Sequence, residues 1–220
     1  MKLMTLNIGR PHVVVRGGRQ YSTAFDRRPA EGPVALTTEG LAGDRVSDQA
    51  VHGGADKALC CYPFEHYAFW GQQLGAELTV PSFGENLTTS GLLEAHVCIG
   101  DSFRIGSGIV QVSQPRQPCW KLALRHGEPR MIAWIHARGF TGFYVRVIQP
   151  GTLAGGEAIE LLERPYPNLT VMALTRLRLS DTPDRAALGR LISISELSGS
   201  WRQHFSRRLN ESGDGATNDE

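Results

Sequence analysis

The chain is poor in cysteine. Four thiols in 220 residues, Cys60, Cys61, Cys98 and Cys119, include no C-x-x-C pair, and the adjacent Cys60-Cys61 is a poor disulfide framework. A reduced, cytoplasmic setting is therefore expected. An excess of charge of one sign is missing too: 23 basic against 22 acidic residues leave a formal net charge of +1. That removes the global electrostatic case for a nucleic acid polymer or a membrane surface as partner. No apolar run approaches membrane-spanning length. The N-terminus has neither the apolar core nor the small-residue cleavage site of a signal peptide. No G-x-G-x-x-G follows a strand, so no flavin or nicotinamide site is expected. Internal repeats are absent.

What is present is turn chemistry. The 25 glycines and 12 prolines punctuate many short extended runs, and no long helical period appears until late. The length suits one domain with a small appendage. Strands are expected over 2–8, 12–16, 21–25, 34–36, 59–62, 91–95, 97–99, 103–105, 109–113, 142–148 and 158–162, with turns at Gly17-Gly18 and at 106–108. Pro63 is expected to open a helix with Tyr67 and Trp70 on its apolar face and Glu65 and His66 on the other. Two more helices are expected over 120–124 and 130–138.

Composition changes at Pro165-Tyr166-Pro167-Asn168. Beyond it come three helical patterns: one capped by Thr170, one opened by Pro183-Asp184, and one from Ser195 or Glu196 to Leu209. The expected architecture is mainly β with α: a body over 1–165, a three-helix appendix over 166–209 and a disordered tail over 210–220.

The motif with most chemistry is Ser113-Gln114-Pro115-Arg116-Gln117-Pro118-Cys119-Trp120-Lys121. A β-rich run feeds it, and two prolines stiffen the turn. One cysteine is thereby held on an arch between Arg116 and Lys121, two cations that favour a thiolate. A thiolate is a nucleophile or a soft metal ligand; a small buried hydrophobe is the plainer fate of a thiol. No histidine is placed by sequence as the base of a thiol hydrolase. The double glycine between His52 and Lys57 lets backbone N–H groups converge on an anion. Glu85 and Asn86 follow Gly84 at a strand start, where they form a turn or line a pocket.

Taken in series, Val51-His52-Gly53-Gly54 with Asp56-Lys57, Tyr62-Pro63 with Glu65-His66-Tyr67, Phe83-Gly84-Glu85-Asn86-Leu87, Gly100-Asp101, and the arch ending in Pro118-Cys119-Trp120-Lys121 resemble MOSC-domain proteins of the bacterial YiiM type. The resemblance covers nearly the whole chain, including the C-terminal helices. It implies an antiparallel β-barrel with peripheral helices, and a molybdenum cofactor: a pterin dithiolene carrying the metal and a phosphate. The family's metal-ligating cysteine falls on Cys119. His52, Lys57, Arg116 and Lys121 become candidates for the cofactor's phosphate or pterin edge, with Ser113 and Gln114 offering hydrogen bonds beside the metal. Glu85 and Asn86 would line the substrate side, with Glu85 as proton donor.

By the same resemblance the activity is reduction of N-hydroxylated compounds, such as N-hydroxylaminopurine base analogues, to the amines. The electrons come from an external flavin reductase. Related enzymes have a further N-terminal segment that helps hold the pterin. Here the expectation is a cofactor that is more exposed, more loosely held, or covered by a second subunit of a homodimer or by the appendix. A cofactor carrier or sulfur-handling module without turnover is the alternative, and an interaction protein working through its C-terminal helices is a third reading.

Overall fold

The computed structural model describes residues 1–16 and 18–214. In chain order the elements are β1 (Lys2–Ile8), β2 (His12–Arg16), β3 (Arg19–Thr23), β4 (Arg28–Pro29), β5 (Val34–Thr37), β6 (Gly40–Leu41), α1 (Gln49–His52), a 3-10 turn (Ala55–Lys57), β7 (Leu59–Pro63), α2 (His66–Leu74) and β8 (Leu87–Ser90). Then follow β9 (Ser102–Ile105), β10 (Gly108–Pro115), α3 (Trp120–His126), α4 (Met131–Arg138), β11 (Phe143–Gln149), β12 (Gly151–Leu153), β13 (Ile159–Glu163), α5 (Val171–Leu179), α6 (Arg185–Ile192) and α7 (Gly199–Asp214).

Eight strands form one curled sheet in the order β13-β9-β10-β11-β7-β8-β1-β4. It is mixed and open rather than the antiparallel barrel expected. Strands β7 and β8 run parallel, pairing Cys61 with Leu87 and Tyr62 with Thr88. A parallel pair needs a crossover, and α2 supplies it. Register shifts in β1, β10 and β13 mark bulges, which bend a sheet. The sheet curls until β1 meets the start of β13, where the Leu3 N–H donates to Glu157 at 2.9 Å and Lys2 and Ala158 form an isolated bridge. No ladder closes that seam among the described residues. Smaller sheets, β12-β5-β6 and the hairpin β2-β3, stand beside it.

Several local expectations give way to tertiary contacts. Pro63 ends β7, because the Phe64 N–H continues the strand contact to the Thr89 carbonyl at 2.7 Å, and α2 starts only at His66. His66 is buried, its Nε2 2.7 Å from Glu94 Oε2 and its ring stacked 3.7 Å from Phe140. Residues 91–95 and 97–99 are not strands; the His96 and Val97 N–H groups both turn back to the Leu93 carbonyl. Pro183 precedes the cap rather than following it, since Asp184 caps α6 through the Ala186 N–H. Helix α7 runs on to Asp214, past the point where a disordered tail was expected. Gly17, and residues 215–220 of that tail, lie outside the described residues.

The three C-terminal helices join the body's core. Val171, Leu174, Leu188, Leu191, Leu197, Trp201 and Phe205 belong to one buried cluster with Leu3, Phe103 and Val112 of the sheet. The Arg164–Asp101 ion pair (2.7 Å) and the Tyr166–Glu196 bond (2.8 Å) fasten the connection at its start. A second cluster, including Tyr62, Tyr67, Trp70, Phe83, Leu122 and Met131, lies under α2, α3 and α4. A shared core predicts shared unfolding. Trp201→Ala should cost about 3–5 kcal/mol, as large aromatic truncations in cores do. Urea denaturation followed by circular dichroism should show one transition at lower midpoint; two transitions would show that the appendix folds by itself.

The appendix also carries an acid sensitivity. The pKa of His204 on α7 falls from 6.5 to about 4, first by burial and then by the charges of Arg178, Arg208 and Arg207. Burial and Arg178 lower His136 in the same way. A lowered histidine pKa means that the unfolded chain binds more protons below 6.5 than the folded one. Stability is then present above pH 6.5 and is lost as pH falls toward about 4. The urea midpoint should drop between about pH 7 and pH 5, above the main carboxylate range, and less so in His204→Gln. A flat midpoint in the wild type would overturn this assignment.

Candidate functional site

The arch leaves the end of β10 and is held by the Arg116 N–H, which donates to the Gly142 carbonyl at 3.1 Å. Gly142 must be glycine: its φ is +70°, and a Cβ there would stand 2.5 Å from the Cys61 carbonyl. Cys119 caps α3 with extended backbone and is half-buried. Around it opens a cleft of about 800 Å³, within the range of small-molecule and cofactor sites. Six of the lining side chains are arginine or lysine and two are acidic.

Two of these charges form a neutralised pair, and a third is a buried cation of another kind. Arg27 grips Asp44 with two bonds, Nε to Oδ1 at 2.9 Å and Nη2 to Oδ2 at 2.8 Å, and donates to the Gly84 carbonyl at 2.6 Å. Asp44 also accepts from the Gly9 N–H at 2.8 Å and from Asn86 Nδ2 at 3.0 Å. Arg116 is different. It is only 6% exposed, yet among the described residues its guanidinium makes no hydrogen bond and no ion pair. Its contact is the Phe25 ring, 5.8 Å from centroid to guanidinium carbon. Burial opposes its charge, but Cys60, Tyr144, Cys119 and Glu85 outweigh that and raise its pKa. A buried cation with no hydrogen bond or ion pair among the described residues is a seat for an external anion.

Of the residues expected from sequence, Cys119, Asn86, His52, Lys57, Arg116 and Lys121 all line this cleft. Burial lowers the pKa of His52, helped by Arg116, Lys121 and Lys57, so its ring is neutral near pH 7 and open to accept or ligate. Lys57 directs Nζ to the Val51 carbonyl at 2.6 Å, and burial lowers its pKa. Lys121 Nζ donates to Ser22 O and Ser47 Oγ, both at 2.9 Å, tying α3 to the β2-β3 hairpin. The Gly53 N–H is spent capping α1 on the Gln49 carbonyl.

Three expected residues are not among those lining the cleft. Glu85 is fully buried on the core side, where its carboxylate accepts from the Tyr67 hydroxyl, the Phe83 N–H at 3.0 Å and the Thr88 hydroxyl at 2.9 Å. A carboxylate so engaged braces the turn that Gly84 makes; at φ +70° that glycine leaves room for Phe25, which a Cβ would meet at 2.7 Å. Ser113 donates to the Asp56 and Tyr144 carbonyls at 2.5 and 3.1 Å. Gln114 faces α7, accepting from Ser200 at 3.4 Å. Asn86 reaches the cleft but is fully used, accepting from the Cys60 N–H at 3.1 Å and donating to Asp44 and Asn7.

Sequence reasoning missed Arg27, Cys60 and Tyr144. Arg27 sits in a polar loop; Cys60 ends the motif that begins at Val51 but reads as a strand residue, and the facing of Cys60 and Tyr144 depends on distant pairing. Among the described residues no group of three or more His, Cys, Asp or Glu side chains could hold a bare metal ion.

Comparison with known proteins places the chain by sequence and fold. Residues 48–160 match the MOSC domain model, and residues 169–211 match the YiiM-like, 3-alpha helix domain model. The chain is 42% identical over 206 residues to the uncharacterized protein YflK of Bacillus subtilis, covering 94% of this chain and 93% of that protein. It is similar to the crystal structure of YiiM from Geobacillus stearothermophilus, with TM-score 0.81 and 36% identity over 94% of this chain and 98% of the other. A Gibberella moniliformis protein named Reductase is 34% identical over 179 residues, 80% of this chain but 32% of that longer protein.

Proposed function

The chain belongs to the MOSC-domain family, in the branch that carries the YiiM-like three-helix domain, and from that premise we propose that its cleft holds a molybdenum cofactor and reduces N-hydroxylated compounds to amines. The observation that carries this reading is the pairing of one half-buried thiol, Cys119, with the unpartnered buried cation of Arg116 in a cleft of about 800 Å³. The residues fit the group. The arch offers a single soft donor, and among the described residues there is no bare-metal cluster, so a metal seated here must bring its other ligands with it, as a pterin dithiolene does. The basic excess of the lining suits a phosphate-bearing anion.

When bound, the cofactor supplies two-electron oxygen-atom chemistry at its metal. The chain's own residues do the rest. Cys119 ligates, and the stiff arch fixes where its sulfur points. Arg116, Lys57 and Lys121 hold the anionic edges, and neutral His52 offers a ring nitrogen without adding a further positive charge. The Arg27–Asp44–Asn86 knot keeps the cleft wall closed. Electrons come from an external flavin reductase, and the fungal relative named Reductase supports a redox role. The cytoplasm is the proposed setting: four free thiols, and no described helix long and apolar enough to cross a membrane, are consistent with it.

The test is molybdenum and pterin content of the protein purified from a cofactor-competent host, followed by turnover of 6-N-hydroxylaminopurine with a flavin reductase. Metal near one per chain and amine formation support the enzyme. Metal without turnover leaves the cofactor carrier, and no metal even after reconstitution sinks both.

A further inference from the structure

Tyr144 of β11 is the cross-strand partner of Cys60 of β7. Directly paired residues project from the same face of a sheet. Both line the cleft. The carbonyl of Tyr144 accepts from Ser113, but among the described residues its hydroxyl makes no hydrogen bond. A phenol in protein surroundings usually finds a partner. One that faces a cleft with none is a donor left for a bound molecule. Burial and then Cys60 raise its pKa, Arg116 and Arg27 pull it down, and Cys119 raises it; the balance is upward, so the phenol keeps its hydrogen at neutral pH. The same two arginines would steady a transient phenolate. Glu85, the acid expected from sequence, is held on the core side by its three donors.

Resting on the function proposed above, we propose that Tyr144 donates its phenolic hydrogen to the oxygen of the substrate's N–OH group. The balance is one N-hydroxylated amine, two electrons and two protons giving one amine and one water. The N–O bond breaks and a new N–H bond forms. One proton goes to nitrogen and one to the departing oxygen, and Tyr144 supplies the latter before solvent at the cleft mouth restores it. The flavin reductase supplies both electrons. Tyr144 sits on a strand, so the donor's position is set by the ladder rather than by a loop.

Tyr144→Phe removes the hydroxyl and keeps the ring. Two affinities are measured by equilibrium dialysis on the oxidised protein as purified, where no electrons are available for turnover: 6-N-hydroxylaminopurine, which has the N–OH, and adenine, which lacks it. The variant should bind the first roughly 5- to 10-fold more weakly and the second unchanged, as loss of one neutral hydrogen bond requires. Its molybdenum content should equal that of the wild type, and kcat with a flavin reductase should fall by about a hundredfold, the scale of a lost proton donor. Equal loss of both affinities, or loss of metal, would make Tyr144 a structural residue and overturn the proposal. An unchanged N–OH affinity with unchanged kcat would overturn it too, while leaving the cofactor reading intact. A wild type without metal that also fails to tell the two bases apart would end both.

Discussion

Cys119→Ala is expected to yield a folded protein that carries no molybdenum and reduces N-hydroxylated compounds no faster than the flavin reductase alone. The fold should survive because the thiol does little for it. Cys119 caps α3 by its backbone, with no side-chain bond to the helix, and it is half-buried rather than part of either buried cluster. Its removal should change stability by no more than about 0.5 kcal/mol. On the function proposed above, metal binding has no such margin. Changes one shell further out typically cost 10–100-fold in metal affinity, so loss of the ligand the chain supplies should exceed about a hundredfold. Cys119→Ser is the sharper comparison. It keeps the shape but replaces a soft sulfur by a hard oxygen, and it should lose metal almost as fully as alanine does. Molybdenum retained at wild-type level in both variants, measured by elemental analysis, would sink the ligand assignment.

Arg116→Met is expected to make the protein more stable and less able to keep its cofactor. The guanidinium is 6% exposed and has no hydrogen bond or ion pair among the described residues. Such a group is costly to bury; the Phe25 ring at 5.8 Å returns about 0.5–1 kcal/mol, and the more distant Glu85 carboxylate, which makes no ion pair with it, offsets only part of the rest. Methionine fills much of the same volume without the charge. The gain should be about 1–3 kcal/mol, seen as a higher urea midpoint in the cofactor-free protein. The loss appears with the anion: removing one charge-assisted donor set should weaken cofactor retention by roughly 10- to 100-fold. Arg116→Lys should recover charge but not the planar fork, and so only part of the retention. A destabilised Arg116→Met would show that the cation has an internal partner, and that the cleft is not its reason for being there.

These two residues stand three positions apart in one motif, and both were legible from the sequence. Two prolines, a thiol and two cations in nine residues form a local pattern, and local patterns need no tertiary information to be read. Much of the strand set was legible too: β1, β7, β10 and β11 lie where apolar or β-branched runs meet glycine and proline turns, whereas the short β4, β6 and β12 fall outside the expected strands. Helices α3, α4 and α5 follow from spacing and caps. The errors were of another kind. Local rules make Pro63 a helix opener, but a parallel ladder to β8 carries the chain on as strand there. His66 was placed on the outer side of α2, but Glu94, distant in sequence, draws it into the core at 2.7 Å.

Sequence by itself determined the family, the arch with Cys119, and the set of His52, Lys57, Arg116 and Lys121 that lines the cleft. Tertiary structure alone decided which polar side chains face the cleft. Glu85 and Asn86 are neighbours in the chain, yet Glu85 is spent on Tyr67, Phe83 and Thr88 while Asn86 reaches the opening. Arg27 cancels Asp44, while Arg116 stays buried without an ion pair among the described residues. Tyr144 meets Cys60 only because β11 and β7 pair in that register. The reason is geometric. A strand tells from its own residues that neighbours alternate, but which face turns inward is settled by the strand beside it, and that strand lies far away in sequence.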